Sequence, residues 1–91
     1  MPNSAAKPLI LVVEDDPAVR NLIVAALETH GLRHIAVETG HAAIAAASTQ
    51  VPSIVLLDLG LPDIDGVEVV ESIRAWSGMP IIVVSARSED A

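Results

Sequence analysis

The chain has no cysteine and almost no aromatic residues: Trp76 is the single one among 91 residues. Without cysteine, disulfide bonds and thiolate metal ligands are excluded, which fits a reducing compartment. Every uninterrupted apolar run is far shorter than the roughly 20 residues that a helix needs to cross a bilayer. We therefore expect a cytoplasmic protein that makes no use of a membrane, with a core of small and branched aliphatic side chains.

Positive charge is also scarce. Five Lys and Arg stand against twelve Asp and Glu, so the formal net charge is -7. Such a chain offers no basic track to nucleic-acid phosphates, so direct DNA binding by this segment is not expected. The hydrophobic fraction of 52% predicts a packed core in one small domain. We expect residues 1–8 to be a flexible N-terminal tail, without the features of a signal peptide, and residues 9–91 to be the folded part.

Apolar runs and helical patterns alternate along the chain. Continuous aliphatic runs are typical of buried parallel strands, and they predict strands at Leu9–Val13, Ile54–Leu57 and Ile81–Val84, with a weaker edge strand at His34–Val37. Helices are predicted from Pro17 to a cap at Gly31, from Gly40 to Thr49, and from Val67 to Trp76. Their expected core-facing residues are Val19, Leu22, Ile23, Ala26 and Leu27 in the first helix, Ile44 in the second, and Val70 and Ile73 in the third.

The order β-α-β-α-β-α-β predicts an α/β fold, a doubly wound parallel sheet with right-handed crossovers. Because the second strand is the weakest, it is placed at an edge, which gives the strand order 2-1-3-4. The order then reverses between strands 1 and 3. Open α/β sheets bind ligands beside such a switch point, at the carboxyl ends of the strands.

Carboxylates stand at that point in both strands. Glu14 and Asp15 follow strand 1, and Asp58 follows strand 3. Three carboxylates gathered closely need a cation, and hard oxygen ligands of this kind suit Mg²⁺. An aspartate beside a metal can act as a nucleophile toward a phosphoryl group, while Ser85 and a backbone amide near Ala86 would supply hydrogen-bond donors at the same edge.

These motifs resemble the receiver domains of two-component response regulators, and the resemblance covers nearly the whole chain from Leu9 onward. It rests on Glu14-Asp15, Asp58, the loop Leu61-Pro62-x-x-Asp65-Gly66, and Ser85-Ala86. The stretches Leu57 to Asp63, Ala75-Trp76-Ser77 and Ser85 to Glu89 look more specifically like the potassium-responsive Kdp transcriptional regulators of the OmpR-like winged-helix class. The resemblance implies a flavodoxin-like receiver fold and a regulatory protein that is not an enzyme.

The family's functional residues are carried over by this resemblance. Asp58 would be the phosphoacceptor, phosphorylated by a sensor histidine kinase with Mg²⁺ as cofactor. The implied protein ligands of the metal are Glu14, Asp15, Asp58 and the backbone carbonyl of Gly60. Ser85 and Ala86 would contact the phosphoryl group, with the Ser85 hydroxyl moving toward it on activation. In the full regulator this would control transcription, with DNA bound by an effector domain that this chain does not contain.

The chain also departs from the family's pattern. Receivers continue after strand 4 with a fourth helix, a fifth strand that ends in a lysine, and a fifth helix. This sequence ends at Ala91, and its one lysine, Lys7, precedes strand 1. We therefore expect a partial receiver in which the fifth strand, the last helices and the catalytic lysine are missing.

Two other functions remain open. The first is a phosphorylation-incompetent fragment that acts as an interaction module, forming a homodimer or domain-swapped oligomer through an open edge at strand 4. The second is an aspartyl phosphatase or phosphotransferase, which the sequence Asp58-Leu59-Gly60 disfavours because a D-x-D nucleophile pattern is absent.

Other polar residues have simpler interpretations. Asp16 is expected to cap the first helix, and Ser85 has a second interpretation as the cap of a following helix. Asp63 and Asp65 are expected to form the turn rather than to bind a ligand. The three histidines show no metal-ligand spacing and are interpreted as surface residues: His30, His34 and His41.

Overall fold

A computed structural model of the chain describes residues 7–84, and these form one parallel sheet with helices on both of its faces. The elements are β1 (Leu9–Val13), α1 (Pro17–Thr29), β2 (Arg33–Val37), α2 (Gly40–Gln50), β3 (Ile54–Leu57), α3 (Gly66–Arg74) and β4 (Ile81–Val83). The alternation predicted from the sequence is therefore confirmed. The β1 and β3 bounds agree with the prediction, whereas α3 ends two residues earlier than predicted.

The strands pair in the order β2-β1-β3-β4, and all three pairings are parallel. In the register of β1, Leu11 lies between Ile35 of β2 and Val55 of β3. The predicted order 2-1-3-4 is confirmed. Because all strands run the same way, their carboxyl ends share one edge of the sheet, and the reversal of strand order falls between β1 and β3.

The main core lies between one face of the sheet and the helices α2 and α3. Its fully buried members are Leu11, Val55, Leu57, Ala43, Ala47, Val69 and Ile73, and Val13 is 1% exposed. Ile73 is therefore confirmed as a core residue, but Ala43 and Ala47 occupy the place expected for Ile44, and Val69 that expected for Val70. Ile44 and Val70 are only partly buried against this core. Small alanine side chains bring the α2 backbone close to the sheet, which leaves the larger Ile44 at the margin.

Helix α1 packs against β1 and β2 and has no fully buried residue. Val19, Ile23 and Leu27 are half-buried, as predicted. The prediction is wrong for Leu22, which is 71% exposed, and for Ala26, which is also exposed. Residues 19, 23 and 27 lie along a single i, i+4 row. The inner side of the helix is this row together with the half-buried Arg20 and Val24, whereas the row of residues 18, 22 and 26 faces outward.

The helix ends follow from local chemistry at most positions. Asp16 caps α1 as predicted, because its Oδ1 accepts hydrogen bonds from the amides of Ala18 at 2.9 Å and Val19 at 3.4 Å. Gly31 follows the end of α1 with φ +70, a conformation that favours glycine. Helix α2 ends instead on Val51, with φ 45 and ψ 66. No helix among residues 7–84 is long and apolar enough to cross a membrane.

Candidate metal centre at the carboxyl edge of the sheet

The backbone pairing of β1 and β3 brings the two acidic segments together. The amide of Asp58 donates to the carbonyl oxygen of Val13 at 3.0 Å, so Asp58 lies beside the chain where Glu14 begins. Glu14 is held from the other side, since its amide donates to Val37 of β2 at 3.1 Å. Glu14 and Asp58 are each only 5% exposed. Ladder hydrogen bonds on both sides therefore fix two acidic residues in a buried position.

Three carboxylates meet at this point. One oxygen from each of Glu14, Asp15 and Asp58 lies within 4.8 Å of the others, and Asp15 is half-buried. Like charges this close disfavour one another's ionised form unless a cation or proton lies between them. The donor set is entirely carboxylate oxygen, which suits a hard divalent cation such as Mg²⁺. The arrangement therefore fits a metal of this class.

The pKa of Glu14 reports the cost of this crowding. Burial raises the pKa of its carboxyl above the usual 4.5, and the charges of Asp58 and Asp15 and a hydrogen bond with Asp58 raise it further. The hydrogen bond that the Asp16 amide donates to Glu14 Oε2 at 3.1 Å acts in the opposite direction. A cation at this position would favour the ionised form and relieve the repulsion.

Arg20 also lies beside this acidic corner. Its Nη1 donates to the carbonyl oxygen of Glu14 at 3.1 Å and contacts that of Asp15 at 3.5 Å. Its Nη2 lies 3.7 Å from the carboxylate of Glu38. The guanidinium therefore holds the backbone of the acidic pair in place, and no hydrogen bond joins it to the carboxylates of the cluster. Its position one turn into α1 gave no sequence signal of this role.

The loop after β3 (residues 58–65, the β3–α3 loop) folds closely around Asp58. The Gly60 amide approaches Asp58 Oδ1 at 3.4 Å. Gly66 donates its amide to the Leu59 carbonyl at 3.3 Å. A Cβ on Gly66 would lie 2.7 Å from the Cα of Leu59, so a glycine is required there by close backbone approach.

Two aspartates of this loop cap helices. Asp65 is the N-cap of α3 and accepts the Val67 amide at 3.0 Å. Asp63 reaches away from its own turn to the start of α2, where it accepts the amides of Gly40 at 2.8 Å and His41 at 2.9 Å. The hydrogen bond from the His41 amide is the largest influence that lowers the pKa of Asp63 well below its usual 3.8. Neither carboxylate belongs to the three-residue cluster, but the contact of Asp63 with α2 was not foreseen.

The other residues discussed above lie away from this corner or outside the part of the chain that the structure describes. Ser85 and Ala86 lie outside the described residues. Lys7 precedes β1, at the amino end of the strand whose carboxyl end carries Glu14, roughly 20 Å away along an extended chain. His30 is exposed, whereas His34 is partly buried and lies 3.9 Å from Glu28.

The response regulator receiver domain family matches residues 10–91. The KDP operon transcriptional regulatory protein KdpE of Escherichia coli strain K12 is 45% identical over 82 residues, which cover 90% of this chain and 36% of the relative. The chain therefore spans little more than a third of the length of this curated relative.

Solved structures agree with the sequence relatives. The receiver domain of the sensor histidine kinase PA1611 from Pseudomonas aeruginosa PAO1 matches with a TM-score of 0.85 at 34% identity, over 94% of this chain and 73% of that one. That structure holds a magnesium ion coordinated in its active site cleft. The BeF3-activated N-terminal receiver domain of RstA from Klebsiella pneumoniae matches with a TM-score of 0.83 at 33% identity, over 90% and 70% of the two chains.

Proposed function

The chain belongs to the response regulator receiver domain family, and from this premise we propose that Asp58 accepts a phosphoryl group from a sensor histidine kinase. The observation that carries the proposal is the meeting of Glu14, Asp15 and Asp58 at the switch point of the sheet, with their oxygens within 4.8 Å. Three carboxylates at this spacing repel one another, so a cation bound between them would stabilise the arrangement.

Asp58 is the best placed nucleophile of the three. It is buried at the end of a central strand and fixed by its amide to β1. In the proposed transfer, an oxygen of Asp58 attacks the phosphorus of a phosphohistidine and forms the acyl phosphate. The bond between phosphorus and the imidazole nitrogen breaks, and its electron pair stays on that nitrogen. The chain is thus a substrate of the kinase and a carrier of the signal, rather than an enzyme with turnover.

The carboxylates of Glu14, Asp15 and Asp58, with the carbonyl of Gly60, would hold Mg²⁺. The bound cation would offset the negative charge of the carboxylates and of the incoming phosphoryl group. Glu14 and Asp15 contribute the charge that attracts the cation, while Arg20 keeps their backbone in position. Ser85 and Ala86 stay proposed contacts of the phosphoryl group.

The experiment is phosphorylation of the purified chain by a small phosphodonor in the presence of Mg²⁺. Intact mass spectrometry should show one added phosphoryl group that is stable in acid and labile in base. Asp58→Asn should remove it, and chelation of Mg²⁺ should suppress it. Asp65→Asn is the matched control, because it alters another aspartate of the same loop outside the cluster. A folded sample that acquires no phosphoryl group, or that acquires it equally as Asp58→Asn, would overturn the proposal.

For a protein of the relative's length that contained this chain, we propose the control of transcription in the cytoplasm. The support is the likeness to the KDP operon transcriptional regulatory protein, over about a third of that relative's length. DNA binding would belong to an effector domain outside this sequence, because the chain carries a net charge of -7. A fusion of the chain to the part of the relative that it does not cover would test this. Transcription from the relative's target operon would be measured with and without phosphorylation of the fusion.

A second candidate function is assembly through β4. Within the described residues β4 pairs only with β3, and its apolar side chains Ile82 and Val83 are 49% and 48% exposed. An apolar strand at a sheet edge offers unpaired backbone groups to another chain, so a homodimer or domain-swapped oligomer would form there. Light scattering decides this: a monomer at high concentration contradicts the assembly function, and Ile82→Lys should dissociate an assembled form.

A further inference from the structure

We propose that Asp63 is a positioning residue, which fixes the β3–α3 loop to the first turn of α2 and so sets the place of Gly60 at the metal corner. The inference rests on the proposed function, since it assigns Gly60 to the metal. It concerns a carboxylate that lies outside the three-residue cluster, and whose partners are on a different element.

The contact joins two segments that are far apart in sequence. Asp63 Oδ1 accepts the amide of Gly40 at 2.8 Å, and Oδ2 accepts the amide of His41 at 2.9 Å. The imidazole Nδ1 of His41 lies 2.8 Å from the same Oδ2. Both carboxylate oxygens are therefore engaged at a helix N-terminus, where unpaired amides and the helix dipole favour a negative charge.

An apolar contact accompanies this polar one. Ile64, the next residue of the loop, lies against Gly40: a Cβ on Gly40 would meet the Ile64 Cγ1 atom and would lie 2.9 Å from Cδ1. It would also lie 3.1 Å from Val69 Cγ2. The glycine at the start of α2 thus leaves room for Ile64, and two consecutive loop residues are held by the same helical turn.

The two ends of the loop are held by separate means. Asp58 is tied to β1 through its amide, and Asp65 begins α3 as its N-cap. Between these ends, Asp63 supplies hydrogen bonds to a third element, α2. Gly60 lies between Asp58 and Asp63, so the contact with α2 limits how far the Gly60 carbonyl can move from the carboxylates. Residues that orient metal ligands from outside typically change metal affinity by about tenfold or more when removed.

Thr39 offers a matched control. It is the N-cap of α2 and its Oγ1 accepts the Ala42 amide at 3.1 Å. Thr39→Ala removes a cap from the same helical turn without touching the loop. Asp63→Ala leaves the Thr39 cap in place and removes the hydrogen bonds from the Gly40 and His41 amides, which both stabilise the helix end and link it to the loop. Any difference between the two variants therefore measures the link, whereas a shared loss of stability measures only the helix end.

The first measurement is the Mg²⁺ affinity of the two variants beside the unaltered chain. We expect Asp63→Ala to weaken binding by about tenfold, and Asp63→Asn, which keeps one oxygen acceptor, to fall between. Thr39→Ala should leave the affinity unchanged. Equal affinities for Asp63→Ala and Thr39→Ala would overturn the proposal.

The second measurement needs no metal, and so separates this proposal from the function it rests on. The amide resonances of Gly60 and Leu61 in the metal-free chain should shift in Asp63→Ala and stay in place in Thr39→Ala. If the unaltered chain binds no Mg²⁺ but these shifts occur, the metal site fails and the positioning role of Asp63 stands. If Asp63→Ala does not fold, Asp63→Asn takes its place, because its side chain keeps one oxygen acceptor for the two amides of Gly40 and His41. Unmoved Gly60 and Leu61 resonances in Asp63→Asn would then contradict the proposal.

Discussion

The acidic cluster at the start of the β3–α3 loop and Asp63 near the end of that loop have opposite surroundings. At one end, Glu14 and Asp58 are buried beside each other and beside Asp15. At the other, Asp63 is met by backbone amides at a helix N-terminus. Correspondingly, burial and like charge raise the pKa of Glu14, whereas amide hydrogen bonds lower that of Asp63.

This difference separates a binding role from a positioning role. A carboxylate that is surrounded by amide donors is already satisfied and has little to gain from a cation. Carboxylates that face one another are left in need of positive charge. Under the two proposals above, the same chemical group would serve two purposes a few residues apart, and its surroundings would decide which purpose applies. Three measurements test this contrast, and a fourth examines a site away from both kinds of carboxylate.

The largest effect should come from Mg²⁺ itself. At a concentration one hundred times its Kd, a ligand that binds only the folded chain raises the free energy of unfolding by about 2.7 kcal/mol. Thermal unfolding should therefore move to higher temperature with Mg²⁺, and Asp58→Asn should abolish the shift. Asp65→Asn should keep it. A shift that survives in Asp58→Asn would place the metal elsewhere.

The next effect should come from Glu14→Gln without metal. The folded-state pKa of Glu14 lies above its usual 4.5, so its contribution to stability is fully present below that pH and is lost as pH rises through the raised value. Removing the charge should stabilise the metal-free chain at neutral pH, by on the order of 1 kcal/mol. It should also flatten the decline of stability with rising pH. Urea unfolding of both chains from about pH 4 to about pH 8 would measure the free energy of unfolding. The same pH dependence in Glu14→Gln and the unaltered chain would contradict the prediction.

A smaller effect on the free energy of unfolding is expected for Asp63→Asn, and its dependence on pH should be opposite to that of Glu14→Gln. Since the pKa of Asp63 lies below its usual 3.8, the carboxylate contributes stability above that pH, and this is lost as pH falls through the lowered value. The variant should be less stable at neutral pH and should lose less stability on acidification. Thr39→Ala removes a cap without a titrating group, so its pH profile should keep the original shape. Identical profiles for the two variants would sink this expectation.

The smallest effect is expected at the other end of α2. Val51 ends the helix with φ 45, and a left-handed conformation costs a non-glycine residue roughly 1–2 kcal/mol. Because Val51 is 64% exposed, Val51→Gly loses little packing and should raise the free energy of unfolding by about 0.5 kcal/mol. Val67→Gly, at an exposed position inside α3, should instead lower it. Neither Mg²⁺ affinity nor the Gly60 resonance should change in Val51→Gly, in contrast to Asp63→Ala.

The acidic corner was predictable because its parts follow strands directly. A strand is recognised from a short run of residues, and the carboxyl ends of parallel strands meet at one edge. Placing Glu14, Asp15 and Asp58 at the ends of β1 and β3 therefore sufficed to bring them together. The predicted helix caps at Asp16 and Gly31 are equally local, and both are confirmed.

Helix orientation was less predictable. In α2, rich in alanine, the pattern offered Ile44 as the one large apolar residue, yet the helix turns Ala43 and Ala47 to the sheet. Small side chains allow the helix backbone to pack closely against the sheet, and the periodicity of apolar residues does not indicate this preference. In α1, Leu22 faces outward although the pattern predicted it to be buried, since several rotations of an apolar helix satisfy the pattern equally well.

The sequence by itself determined the alternation of strands and helices, the strand order, and the acidic residues that end β1 and β3, because each depends on neighbouring residues and on chain direction. Only the tertiary structure decided which helical rows face the sheet, that Arg20 holds the backbone of the acidic pair, and that Asp63 bonds to α2. Each depends on how separate elements pack together, which no local pattern encodes. The contacts of Asp63, for example, join residues 22 and 23 positions apart, and they form because α2 packs against α3.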